Sequence, residues 1–251
     1  MTPRQILVLA GVGNSSGTGG ATARLFSKAG YRVALIARRS DNLTKFSDGL
    51  NASGGEAATF PVQTYSYQDI RTSFAAVRAR WPDSAVRVAL YNVGYPLFKP
   101  FIQVTEDDLQ KIVDTNVMAA FSFAREAILS FQGQELDERG KRGTLLFTGA
   151  TASLRGGPMT SAFSAGKFAL RALAQSLNKE FGKENIHVAN AIVDGNILSD
   201  VTRVFHESKW AANPDVRLDP EEIAKSYLYL VNQHRSAWTH ELDLRPAHEK
   251  W

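Results

Sequence analysis

The chain has 251 residues, 44% of them hydrophobic and 22% charged, ordinary globular values with a length that suits one large α/β domain or two small ones. Cysteine is absent, which excludes disulfides, thiolate metal sites and a cysteine nucleophile. The net charge of +4 comes from scattered basic residues; pairs such as Arg38 with Arg39 and Lys141 with Arg142 are too short for a nucleic-acid tract. No apolar run approaches the roughly 20 residues that span a bilayer, and the opening MTPRQILVLAG has no signal-peptide pattern. We therefore expect a cytoplasmic protein with neither a nucleic-acid nor a membrane partner.

Along the chain, apolar runs alternate with helical patterns. QILVLA reads as a buried strand, followed by a glycine-rich turn and a helix over GGATARLFSKAG. RVALIA is a second strand, and DNLTKFSDGLNASGG a helix closed by glycines. AATFPV is a third strand; DIRTSFAAVRARWP is a helix stopped by Pro82. VRVALYNVG gives a fourth strand, and residues 105–131 a single long helix with Thr105 as its cap. GTLLFTG, IHVANAIV and WTHELDLRP supply three further strands, separated by helices over 161–177 and 219–233. Strands that are apolar throughout, each followed by a helix, predict a doubly wound, mostly parallel seven-stranded α/β sheet with helices on both faces. We expect one domain over residues 1–251, with the irregular stretch 199–218 as a lid over the carboxyl ends of the strands.

The first turn, GVGNSSGTGG, follows a strand and opens a helix. Glycines there let the backbone approach a pyrophosphate, and helix-start amides favour its charge. Gly11, Gly13, Ser16, Gly17, Thr18 and Gly19 are thus candidate cofactor-binding residues. At the end of the second strand, an NAD-selective site would carry an acid for the ribose hydroxyls. Here stand Arg38 and Arg39, which suit the 2′-phosphate of NADP(H). The five histidines show no ligand spacing, so no metal is expected.

Together these pieces resemble the short-chain dehydrogenase/reductase family over nearly the whole chain. The turn matches, although Gly11 and Gly17 are two residues further apart than is usual. YNVG stands at the family's Asn-Asn-Ala-Gly, so Asn92 and Gly94 match while Tyr91 and Val93 do not. DTNVMAAF supplies Asn116 at the helix asparagine, and SAFSAGK supplies Lys167 at the invariant lysine. VDGNILS resembles the nicotinamide loop, with Asp194 replacing its proline, and with Gly195, Ile197 and Ser199 at cofactor-contacting positions. The resemblance implies a Rossmann-type fold, a small-molecule substrate, and a homodimer or homotetramer paired through its long helices. It also implies that Lys167 holds the nicotinamide ribose and that Asn116 orders a relay water.

The family's catalytic tyrosine and serine fall on Phe163 and Ala150. A phenyl ring has no proton to exchange, and a methyl group cannot donate to a developing alkoxide. Losing a general acid typically costs about 10²–10⁴ in rate, and losing an oxyanion donor about 10²–10³. Candidate substitutes are the hydroxyls of Thr148, Thr151, Ser153, Thr160 and Ser161, and the phenol of Tyr95, which equally suits an aromatic wall. Asp194 is either a base or a tie for its loop. Three functions remain open: an NADP(H)-dependent oxidoreductase acting on a carbonyl, enone or imine; an NADP(H)-binding regulatory protein; or a non-redox lyase or isomerase on the same fold.

Overall fold

The computed structural model describes residues 4–38 and 40–249, so Arg39 lies outside the described residues. Seven strands form one parallel sheet in the order β3-β2-β1-β4-β5-β6-β7. They are β1 (Ile6–Ala10), β2 (Arg32–Ala37), β3 (Glu56–Pro61), β4 (Val86–Tyr91), β5 (Gly143–Thr148), β6 (Ile186–Val193) and β7 (Glu241–Leu244). The period of two in β1 divides its side chains between two cores. Ile6, Val8 and Ala10 pack with Phe74, Phe123 and Leu170 on one face. Leu7 and Leu9 pack with Phe26, Leu43 and Tyr227 on the other. Burial on both faces is why these strands carry unbroken apolar runs rather than alternation.

Helices α1 (Thr18–Lys28), α2 (Ser40–Ala52) and, near the end of the chain, α9 (Pro220–Asn232) cover the second face. The first face is covered by α3 (Tyr67–Arg80), α5 (Ala119–Gln132) and α6 (Ser161–Phe181). β1 pairs with β2 on one side and β4 on the other, so the winding reverses beside β1. Chains leave the carboxyl ends of β1 and β4 in opposite directions, which opens the crevice where ligands bind in such sheets.

Two expectations need correction. Residues 105–131 are not one α-helix: α4 (Glu106–Val113) gives way to a π-helical turn over Asp114–Met118 before α5 begins. A π-turn takes up one extra residue, and the apolar pattern on either side hides it. The stretch 199–218 is not irregular throughout: it holds α7 (Asp200–Arg203), capped by Ser199, and α8 (Ser208–Ala212). Among the described residues no helix is long and apolar enough to cross a membrane.

Candidate active site

The turn after β1 is shaped by close backbone packing. A Cβ on Gly11 would lie 2.6 Å from the Asn92 carbonyl carbon, and Gly11 has φ +93°. A Cβ on Gly19 would lie 2.4 Å from the Gly11 oxygen, and one on Gly20 would lie 2.0 Å from the Ser15 oxygen. Only glycine lets these segments meet. The two additional residues of the turn are absorbed by a left-handed excursion, with Gly13 at φ +67° and Ser15 at φ +68°. Arg24 pins it by donating to the Ser15 carbonyl at 3.0 Å.

Gly17 stands at the cap position before α1 and has no side chain to bond, so the first amides of α1 have no partner from a capping side chain. The Thr18 hydroxyl is buried and unpartnered, and Gly17 and Thr18 line the cleft above the sheet. A glycine cradle, uncapped helix amides and a free buried hydroxyl fit a pyrophosphate. The Ser16 hydroxyl accepts from the Asp200 amide at 3.0 Å, which joins the turn to the start of the 199–218 segment.

Asn92 ties this turn to the centre of the sheet. Its Nδ2 donates to the Gly11 carbonyl at 2.7 Å, and its Oδ1 accepts from the Thr148 hydroxyl at 2.8 Å. Thr148 is also 2.8 Å from the Tyr227 hydroxyl. The Thr148 carbonyl accepts from Lys167 Nζ at 3.0 Å. Lys167 is buried yet lines the cleft, and its ammonium lies beside Gly94, where a Cβ would be 3.6 Å away. Burial alone pulls its pKa down to about 8, because desolvation disfavours the charged form. A snorkelling lysine would end in bulk water; this one ends inside the cleft, where ribose hydroxyls would supply the partners an ammonium needs.

Asn116 lies beneath α6, fully buried in the π-turn. Its Nδ2 donates to the Ile112 carbonyl at 3.3 Å, and its Oδ1 has no partner. Gly166 makes that approach possible, since a Cβ there would be 2.7 Å from Ile112 Cγ2 and 3.1 Å from Asn116 Cβ. Tyr91 is tied to the same turn. The buried Tyr91 hydroxyl donates to the Thr115 carbonyl at 2.5 Å, next to Asn116, and so holds the widened turn against β4.

Phe163 and Ala150 both line the cleft, of about 1040 Å³. The Phe163 ring meets Phe98 with centroids 6.1 Å apart and planes at 50°. The hydroxyls named as substitutes are committed elsewhere. Thr151 donates to Asp194 at 2.5 Å, Ser153 to the Ala150 carbonyl at 2.7 Å, and Thr160 to the Gly157 carbonyl at 2.9 Å. Ser161 is exposed at the start of α6, outside the cleft lining. Tyr95 is also outside it. After β4 the chain runs extended, so Gly94, Pro96 and Phe98 face the cleft while Tyr95 points away from it.

Asp194 is fully buried and ties down its loop rather than standing ready as a base. Besides Thr151 it meets Arg155 at 3.5 Å and Arg245 at 3.2 Å. Gly195, Ile197 and Ser199 line the cleft. The Ser199 hydroxyl accepts from the Thr202 amide at 3.2 Å as the cap of α7, and an isolated bridge pairs Ile197 with Leu218. Arg38 stands apart at the end of β2, its guanidinium 5.7 Å from the Tyr65 ring centre. Sequence reasoning missed Phe98, Arg155, Phe205, His206 and Glu249, all in the lining. Phe98 was within reach of a period-two reading after Asn92; the others had no local signal.

The profile of the family described as short chain dehydrogenase matches residues 7–210. An uncharacterized oxidoreductase of Listeria monocytogenes is 24% identical over 95% of this chain and 96% of its own length. The crystal structure of a short-chain dehydrogenase from Rhodopseudomonas palustris superposes with a TM-score of 0.79 at 28% identity, covering 97% of this chain and all of that one. An alcohol dehydrogenase from the archaeon Thermococcus sibiricus, complexed with 5-hydroxy-NADP, shares the fold with a TM-score of 0.80 at 21% identity, covering 99% of each chain.

Proposed function

Because the chain belongs to the short-chain dehydrogenase/reductase family, an oxidoreductase fold that binds a nicotinamide cofactor, we propose that it is an NADP(H)-dependent oxidoreductase with an altered proton-transfer site, acting on a small organic carbonyl, enone or imine. One observation carries this reading: the glycine cradle, Asn92 and Lys167 are joined through Thr148 into one hydrogen-bonded unit around the cleft. When bound, the cofactor supplies or accepts a hydride. Gly11, Gly13, Ser16, Gly17, Thr18 and Gly19 would hold its pyrophosphate, Asn92, Gly94 and Lys167 its ribose side, and Gly195, Ile197 and Ser199 its nicotinamide. Asn116, with Oδ1 unpartnered, would order the relay water.

The preference for NADP(H) over NAD(H) rests on Arg38, exposed where an acid would otherwise meet the ribose, together with Arg39. The 5-hydroxy-NADP complex of the Thermococcus sibiricus alcohol dehydrogenase is in keeping with it. Exposed apolar side chains on the outer surfaces of the π-turn, α5 and α6 (Met118, Phe121 and Phe168) support a homodimer or homotetramer. Ala150 and Phe163 favour a second reading, an NADP(H)-binding regulatory protein without turnover.

Calorimetric titration with NADPH and NADH, followed by a carbonyl, enone and imine panel, tests both readings. The first expects NADPH to bind at least tenfold more tightly and to be consumed with some member of the panel. Tight binding with no consumption would select the regulatory reading, and no binding would overturn both.

A further inference from the structure

The reacting end of the cleft is poor in donors and rich in aromatic surface. Ala150 and Phe163 bring no hydroxyl, and Thr148, Thr151, Ser153 and Thr160 already spend theirs on protein acceptors. Phe98 and Phe163 form a tilted ring pair in the cleft lining, and Phe205 adds a third ring to that lining. Phe98 and Phe205 are 66% and 77% exposed, so protein does not cover them. Pro96, Val193, Ile197 and Val201 complete an apolar lining.

Four ionisable side chains also line the cleft: Arg155, Lys167, His206 and Glu249. Arg155 faces the buried Asp194 at 3.5 Å, and Lys167 is turned to the Thr148 carbonyl. His206 stacks on Trp210 with centroids 4.1 Å apart. Glu249 approaches the nicotinamide loop, its Oε2 being 3.1 Å from the position of a Cβ on Gly195.

We propose that the substrate of this cleft is an iminium ion, a positively charged carbon–nitrogen double bond carried on an apolar body. This rests on the oxidoreductase reading above. A ketone that accepts hydride becomes an alkoxide, which needs a donor where Ala150 and Phe163 bring none. An iminium carbon accepts hydride differently. The new C–H bond forms as the π pair of the C=N bond becomes the nitrogen lone pair. Two electrons leave the reduced nicotinamide, which is thereby oxidised, and the amine product is neutral. No proton is required from the protein. Positive charge passes from substrate to nicotinamide, so the cleft holds a cation before and after the step. The faces of Phe98, Phe163 and Phe205 and the carboxylate of Glu249 attract such a cation.

The test compares an N-methyl dihydroisoquinolinium salt with the neutral tetralone of the same ring size, using wild type and NADPH. We expect kcat/KM for the iminium to exceed that for the tetralone by at least about 100-fold, the scale of a general acid the ketone must do without. Phe163→Tyr should narrow that ratio by raising tetralone reduction. The second readout is binding alone, by calorimetry in the presence of NADPH, whose nicotinamide is uncharged as it is before hydride transfer. A non-reducible N,N-dimethyl tetrahydroisoquinolinium should bind more tightly than its neutral carbon isostere, and Phe98→Leu or Phe163→Leu should weaken the cation selectively, by about fivefold. Reduction of the tetralone as fast as the iminium overturns this inference while leaving the oxidoreductase reading intact. Cation-selective binding without any NADPH consumption upholds the cation site and overturns the oxidoreductase reading with the reduction step. A cation bound no more tightly than the isostere overturns the site itself.

Discussion

Replacing Thr148 by valine tests the hydrogen-bonded unit that joins the cofactor turn to the sheet. The side chains are nearly the same shape, so the change is chemical. Valine removes the donation to Asn92 Oδ1 and the bond to the Tyr227 hydroxyl, both 2.8 Å long. Tyr227 is fully buried in the second core, so its hydroxyl cannot turn to water. Two lost bonds at about 1 kcal/mol each, with a further 1–2 kcal/mol for the stranded hydroxyl, give about 3–4 kcal/mol of destabilisation. For a chain of this length that lowers the melting temperature by about 6–16 °C.

Tyr227→Phe should cost only about 1 kcal/mol, because Thr148 keeps its bond to Asn92. The double variant should be less destabilised than the sum of the two, since no hydroxyl is then stranded. We expect a coupling of about 1–2 kcal/mol from denaturant melts of all four proteins. Asn92, freed on one side, should also hold Gly11 less firmly, so NADPH binding to Thr148→Val should weaken severalfold. Additive single effects, or a Thr148→Val cost below about 0.5 kcal/mol, would refute the network as drawn.

Gly19→Ala drives a methyl to 2.4 Å from the Gly11 oxygen. The turn must open, so NADPH affinity should fall by at least about tenfold in calorimetry and stability by about 1–3 kcal/mol. Lys167→Met carries opposite signs for stability and function. Burial lowers the native pKa of Lys167 to about 8, below its unfolded value near 10.5. Between the two values the unfolded chain holds more protons, so this lysine makes stability rise with pH from about 8 to 10.5. Below pH 8 the apoprotein bears the full cost of the buried charge, on the order of 3 kcal/mol. The variant should therefore be more stable than wild type at pH 7, by an advantage that fades toward pH 10 in denaturant melts, while binding NADPH more weakly. An advantage that grows with pH would show that the ammonium is not desolvated as described.

The residues that define the fold announce themselves locally. An unbroken apolar strand can be stable only with both faces covered, and glycines between a strand and a helix serve a close approach whatever lies beyond. The absence of hydroxyls at Phe163 and Ala150 is likewise a matter of residue identity, legible without coordinates. The partners of the neighbouring hydroxyls are not. Thr148 meets Tyr227 across 79 positions and Asn92 across 56, and Glu249 reaches Gly195 from near the end of the chain.

Nor does a helical pattern reveal that one turn is widened at Asn116, because an extra residue hardly disturbs the apolar spacing on either side. Which of Tyr95 and Phe98 enters the cleft depends on the phase of an extended segment, fixed only where β4 ends. Residue chemistry thus set the scaffold, the glycine turn and the lack of hydroxyls at Ala150 and Phe163. Tertiary structure decided which polar groups are already spent and which rings stand open, because burial and hydrogen-bond satisfaction are settled between segments far apart in sequence.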